Sequence, residues 1–297
     1  MLLEKKIPAR YFLNDVKIEL CIVILLTILI NYLTGHVKHL LPEMPLPIPA
    51  FLGTAISILL SFKLNQSYDR WWEARKIWGA IVNDSRSLVL QLQSLVKEGN
   101  DGEIKGIGYR QIAWCYALGQ SLRGLDPLEN TKSYLTDKER AFIQKISNKP
   151  LAILQLNAFE IRVLKNNLQL DAYSHIQLDN TIVRLCEAMG RAERINNTVF
   201  PSTYRMLLHF IIYIFVVTLS IALKDVEAIF SIPLLILIST CFFLLEKTAS
   251  KLKDPFRNRP SDTSVTAIAR TIEINIRQLL GEQEVPAPLA PEAFYLM

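Results

Sequence analysis

The stretch "SFKLNQSYDRWWEARKIWG", residues 61–79, carries two adjacent tryptophans among arginines, acids and a tyrosine. It follows the uncharged run "PLPIPAFLGTAISILLSF", residues 45–62. A helix of that length spans about 27 Å, close to the hydrocarbon thickness of a bilayer. Tryptophan rings suit the membrane interface, and arginine side chains can extend from there toward headgroups. The stretch is therefore predicted to end a membrane span and to continue as a helix outside the membrane.

Three further uncharged blocks lie at residues 20–33, 206–223 and 228–245. The last two are eighteen residues long, whereas the first has fourteen, so it must extend through Val16 and past Val37 to cross a bilayer. A buried core helix is the alternative for that first block. The composition, 51% hydrophobic and 21% charged, fits apolar blocks separated by polar segments. We predict four transmembrane helices.

The chain is predicted to be all-α, with a large helical cytosolic domain between two pairs of transmembrane helices. The assigned segments are 1–62 (N-terminal segment and transmembrane helices 1 and 2), 63–205 (cytosolic helical domain), 206–245 (transmembrane helices 3 and 4) and 246–297 (cytosolic C-terminal helix and tail). Apolar residues recur with a 3.6-residue period after Trp71, which indicates a helix. Thr136 with Glu139 predicts a capping box, and Ser261 or Thr263 is predicted to cap the C-terminal helix.

Basic residues flank the first and fourth spans, whereas the two outer connections hold one lysine each, Lys38 and Lys224. The positive-inside rule then predicts that both termini are cytoplasmic, in a multi-pass protein of the cell inner membrane. The net charge of +5 is modest, and the bases lie beside the spans. They are interpreted as orientation signals, so no nucleic-acid partner is expected.

Residues for catalysis or metal binding do not form any recognisable set. The four histidines and four cysteines are spread without ligand spacing, and no phosphate-binding loop or nucleophile elbow occurs. We therefore expect no enzyme activity, no metal and no cofactor. His209 lies three residues inside the third block, and both a functional role and an interfacial position remain open for it.

The second span has two dissimilar sides. Thr54, Ile58 and Phe62 stack at i, i+4 and i+8, adjoined by three small polar residues, Ser57, Ser61 and Asn65. Such a face packs well against another membrane helix. If several copies surround an axis, it can instead form a wettable pore lining with an apolar ring.

Two motifs resemble those of the bestrophin family, and especially of its bacterial branch: "SYDRWWEARKIWG" at 67–79 and "KLKDPFRNRP" at 251–260. The motif residues are Asp69, Arg70, Trp71, Trp72 and Glu73 in the first, and Asp254, Pro255 and Phe256 in the second. The order of two spans, a long helical insertion and two spans also agrees. The resemblance implies a homopentamer in membrane lipid, with a single central pore for small monovalent ions and a hydrophobic neck lined by the second helices.

Carried onto this sequence, the neck positions of the family fall on Thr54, Ile58 and Phe62, so the resemblance favours pore lining over packing. Thr54 stands where an apolar residue is usual, which predicts a wider and wetter outer ring. The family's cytosolic constriction falls on Ala172, after Asp171.

The resemblance to the bacterial branch favours cations. A chloride-selective channel of the same fold and a non-conducting membrane scaffold are the alternatives. Animal relatives place an acidic, calcium-binding run after the second motif, where this chain has Arg257 and Arg259. Because Ca²⁺ takes six to eight oxygen ligands, several of them charged, we expect no calcium activation.

Overall fold

A computed structural model describes residues 7–36, 43–199 and 202–296. Those residues form nine α-helices and no β-strand, apart from one isolated bridge between Glu292 and Tyr295. The helices are α1 (Ala9–His36), α2 (Pro47–Leu95), α3 (Asp101–Leu122), α4 (Asp137–Gln144), α5 (Lys149–Asn166), α6 (Ala172–Asn197), α7 (Ser202–Ala222), α8 (Ala228–Leu252) and α9 (Val265–Leu279).

The helices belong to two compact units. The first unit contains α3 to α6, α9 and the part of α2 from Trp71 onward. The second contains α1, α7, α8 and the part of α2 up to Arg70. Helix α2 is continuous over 49 residues, and the division proposed after Phe62 falls inside it.

Four helices among the described residues are long and apolar enough to cross a membrane: Ala9–Thr34, Pro47–Leu95, Thr203–Ala222 and Ala228–Leu252. The prediction of an all-α chain with four transmembrane helices is confirmed. The first span, only fourteen residues as an uncharged block, gains its length because helix α1 begins at Ala9, well before the apolar run.

In the second unit, α1 packs against α7 and α8, and α2 approaches α7 closely. A Cβ atom added at Gly53 would lie 3.3 Å from the ring of Phe215, so the small residue permits this approach. The hydroxyl of Tyr204 donates a hydrogen bond to the carbonyl of Leu59 at 2.9 Å. Ile56 and Leu60 are buried on the same side of α2.

The first unit is built around α3, which packs against α5, α6 and α9. Trp78 of α2 and Trp114 of α3 are fully buried in its core. The predicted capping box is confirmed, since the Thr136 hydroxyl accepts from the Glu139 N–H and the Glu139 carboxylate accepts from the Thr136 N–H. The predicted cap of the C-terminal helix is wrong: Ser264 occupies the N-cap of α9, and its side chain makes no capping hydrogen bond.

Candidate functional site

The predicted neck residues lie on one exposed face of α2 in the second unit. Ile58 is 53% exposed and Phe62 is 61% exposed, and Thr54 is exposed one turn earlier. The Thr54 hydroxyl donates to the carbonyl of Ala50 at 3.0 Å, and the Ser57 hydroxyl donates to that of Gly53 at 2.9 Å. Each hydroxyl proton is thus used within the helix, and the oxygen lone pairs remain available on this exposed face.

A buried stripe of Ile56, Leu60, Lys63 and Ser67 runs along another side of the same helix. Lys63 directly follows Phe62 and is only 2% exposed. Its ammonium group donates to Oε1 of Glu246 on α8 at 2.6 Å and lies 3.3 Å from the hydroxyl of Ser250. A buried lysine without a partner would be very costly, so this ion pair fixes the adjoining turn of α2 to α8.

Glu246 is fully buried, and its two carboxylate oxygens have different neighbours. Its Oε1 accepts from Lys63 and, at 2.8 Å, from the Ser250 hydroxyl. Its Oε2 lies 3.2 Å from Nε2 of His209 on α7, yet neither of these two atoms makes a hydrogen bond among the described residues. The Phe243 ring meets the His209 ring edge to face at 5.6 Å.

Sequence reasoning missed this cluster of Lys63, His209, Glu246 and Ser250. One signal was present, because Lys63 continues the apolar stripe set by Ile56 and Leu60 at helical spacing. Its acidic partner lies 183 residues away in the sequence, and no local pattern predicts that pairing.

Two further ion pairs join α1 to α8 in the same unit. Lys247 lies 2.5 Å from Glu19, and Lys251 lies 2.5 Å from Asp15. Both acids precede the uncharged block of the first span, and both lysines follow the uncharged block of the fourth span. The pairs therefore lie at the same end of both helices, where the apolar blocks stop.

The first family motif lies on α2, and its residues differ in burial. Asp69 and Trp72 are exposed, and Arg70, Trp71 and Glu73 are partly buried. The Trp71 indole N–H donates to the carbonyl of Ser261 at 3.2 Å, which ties α2 to the loop between α8 and α9. Trp71 therefore has a structural hydrogen bond that the interfacial-anchor interpretation did not predict.

The second motif starts this loop. Pro255 and Phe256 are buried, whereas Asp254 is partly buried. The Thr263 N–H donates to the Pro255 carbonyl at 3.1 Å, which closes the loop. Asp262 accepts from the Arg259 N–H at 3.1 Å, and burial, its largest influence, raises the pKa of this carboxyl above the ordinary value. The Asp262 carboxylate thus accepts a hydrogen bond within the loop.

Ala172, the predicted cytosolic constriction, is the first residue of α6 in the first unit and is exposed. Asp171 caps this helix by accepting from the Tyr173 and Ser174 N–H groups at 2.8 and 3.1 Å. Hydrogen bonds from Ser174 lower the pKa of Asp171, so the group before Ala172 is a carboxylate.

Among the described residues, no group of three or more histidine, cysteine or acidic side chains could hold a metal ion. Three ion pairs join helices of the second unit: Lys63–Glu246, Lys247–Glu19 and Lys251–Asp15. These pairs are suited to holding the helices in place.

The chain is similar to several known proteins over most of its length. The voltage-dependent anion channel-forming protein YneE of Escherichia coli K12 is 30% identical over 294 residues, covering 98% of this chain and 92% of the relative. A similarly named protein of Ralstonia nicotianae is 27% identical, and the match covers 83% of this chain and 81% of that relative. The crystal structure of a bacterial bestrophin homologue from Klebsiella pneumoniae matches with a TM-score of 0.85 and 27% identity, over 91% of this chain and all of that one.

The family model described as "Bacterial/Fungal Bestrophin protein" matches residues 11–278. That range includes three of the four transmembrane helices of the described residues in full, the first from residue 11 onward, and both motifs. The chain is a membrane protein of a channel family rather than an enzyme, and it belongs to the bacterial and fungal bestrophins.

Proposed function

We propose that the protein is a homopentameric channel for small monovalent ions, with a hydrophobic neck formed by Thr54, Ile58 and Phe62. One observation carries the proposal: the exposed face of α2 combines bulky apolar side chains with exposed Ser57 and Asn65. A face that only contacts lipid gains nothing from serine and asparagine. Around an axis, the same face provides water with polar contacts between narrow apolar rings.

The neck carries no charge, so oxygen dipoles must set the selectivity. Because the Thr54 and Ser57 hydroxyl protons are used within the helix, their oxygens present lone pairs toward the proposed pore. Rings of such oxygens attract cations, which supports the cation preference of the sequence analysis. The names of the relatives, anion channel-forming proteins, favour chloride as the second candidate. Reversal potentials in asymmetric NaCl distinguish the two.

Calcium activation is not part of the proposed function. The loop that contains the second motif is closed by its own hydrogen bonds, and Asp262 is used within it. Arg257 and Arg259 add positive charge to the same loop. A Ca²⁺ ion would have to displace these contacts and tolerate both guanidinium groups.

The proposed location is the inner membrane, with both termini and residues 63–205 and 246–297 in the cytoplasm. The acid–lysine pairs between α1 and α8 support this orientation, since they place the basic ends of the first and fourth spans together. In this arrangement, Ala172 is the proposed lower constriction, and its small side chain predicts a wide one.

The mass of the detergent-solubilised assembly tests the oligomer, and flux from liposomes tests conduction. Ile58→Ala and Phe62→Ala are expected to raise the flux, because each removes most of an apolar side chain from the neck. Phe230→Ala is the matched control, since Phe230 is 68% exposed on α8, whereas the proposed neck residues lie on α2. A monomer or dimer, or vesicles that stay tight with wild-type protein, would leave the scaffold alternative as the better explanation.

A further inference from the structure

An open cavity of about 570 Å³ lies in the second unit, where His209 and Glu246 meet. The cavity is lined by residues of α1, α7 and α8. It lies near the ends of these helices where the apolar blocks stop, so water can reach the imidazole there. The cavity thus connects a buried carboxylate to solvent through a titratable side chain.

The carboxylate of Glu246 is incompletely satisfied. Oε1 accepts two hydrogen bonds, whereas the buried Oε2 accepts none among the described residues and faces His209 Nε2 at 3.2 Å. An unsatisfied buried carboxylate oxygen is unfavourable. A second proton on the imidazole would turn this contact into a charge-assisted hydrogen bond and complete the set of partners of Glu246.

Other ionisable groups around His209 also influence its protonation. They are Glu19 on α1, Lys63 on α2, Arg205 and Tyr213 on α7, and Lys247 on α8. Glu19 and Lys247 pair with each other at 2.5 Å, which leaves no net charge from these two. Arg205 is exposed, and water screens its charge more than that of a buried group. Lys63 opposes protonation, but Oε1 of Glu246 already compensates it.

We propose that His209 is a proton-binding site that holds the neck segment of α2 in place through Glu246 and Lys63. The proton joins α7 to α8 at Oε2, while Lys63 joins α2 to α8 at Oε1 of the same carboxylate. Because Lys63 follows Phe62 directly, tightening this cluster restrains the turn that carries the proposed neck. Protonation of His209 therefore favours the narrow neck and lowers ion flux.

The functional part of this inference rests on the proposed channel, whereas proton binding at His209 does not. Imidazole is the side chain that ordinarily titrates between about pH 5 and pH 8. Wild-type flux is expected to fall about tenfold as the pH is lowered from about 8 to about 5, the population change that one charge-assisted hydrogen bond can produce. His209→Gln keeps a polar side chain of similar size without this titration, and its flux should not vary with pH.

His175→Gln on α6 is the matched control, and it should keep the wild-type pH dependence. Exchange of the histidine C2 protons, followed by mass spectrometry over the same pH range, reports proton binding without flux. The His209 midpoint should move in the double variant K63Q/E246Q, which removes both buried charges together and avoids an unpaired one. The His175 midpoint should stay unchanged in that variant.

Two results would overturn the proton site: pH-dependent flux that survives in His209→Gln, or a His209 exchange midpoint that the double variant leaves unchanged. Wild-type vesicles without flux at any pH would instead refute the proposed channel. In that case, a His209 midpoint that moves in the double variant still supports the proton site.

Discussion

Replacing Glu273 with alanine should strongly destabilise the first unit. Glu273 lies on α9 and is only 2% exposed. It accepts from the hydroxyls of Tyr116 at 2.7 Å and Tyr134 at 2.6 Å, and it lies 3.2 Å from the Arg270 guanidinium. Burial, followed by the bond to Glu273, raises the pKa of both tyrosines, so both remain donors at neutral pH.

The magnitude follows from these bonds. A hydrogen bond to a charged group contributes about 1.5–3 kcal/mol, so two give about 3–6 kcal/mol. Removing one partner of a buried ion pair independently costs about 3–5 kcal/mol. The two ranges overlap near 4 kcal/mol, which corresponds to a fall of the unfolding midpoint on the order of 10 °C. Glu273→Gln keeps one acceptor oxygen, so its free energy of unfolding should fall by about half as much as that of Glu273→Ala.

Tryptophan fluorescence during heating measures the effect, because Trp78 and Trp114 are both buried in this unit. Glu292→Ala is the matched control, since Glu292 accepts a similar bond from the Tyr295 hydroxyl at 2.6 Å but at an exposed site. The unfolding midpoint of this variant should change little, because water screens and competes for an interaction at an exposed site. The reasoning is refuted if Glu273→Ala destabilises no more than Glu292→Ala.

Three further outcomes are expected. Channel current titrated with Ca²⁺ from nanomolar to millimolar should stay flat; a steep rise in open probability would contradict the account of the loop after α8. Thr54→Leu should lower the flux through a narrower outer ring, and an unchanged flux would remove Thr54 from the neck. Burial raises the pKa of Glu282, but hydrogen bonds from Tyr109, Arg277 and Lys105 outweigh it and lower this pKa from 4.5 to about 2. The stabilisation from Glu282 is thus present above about pH 4.5 and lost as the pH falls toward about 2. At neutral pH, deuterium exchange at the end of α9 should be faster in Glu282→Gln than in wild type, and near pH 2 the two rates should be equal. Equal rates at both pH values would refute the stabilising role of Glu282.

Local patterns predicted the helices well, because the period of apolar residues depends on neighbours in the chain. The four transmembrane helices and the capping box at Thr136 follow from such patterns. The exposed stripe of Ile58 and Phe62 was also readable at helical spacing, although its role as a neck stays a prediction.

Long-range pairings could not be predicted from the sequence. The partner of Lys63 is 183 residues away, and that of Trp71 is 190 residues away. One lysine could pair with any of the 28 acids, and only packing of α2 against α8 selects Glu246. The cap of α9 was missed for another reason, since the N-cap residue Ser264 makes no side-chain hydrogen bond of the kind that the sequence pattern predicts.

Helix α2 contains neither glycine nor proline between Gly53 and Gly79, a stretch that includes Ile58 and Phe62. It therefore lacks the residues at which membrane helices usually hinge. Bending the backbone there would break hydrogen bonds that lipid cannot replace. In the proposed channel, any change of pore width at these side chains must therefore come from helix α2 rotating or sliding as a whole, or from rotation of the side chains themselves.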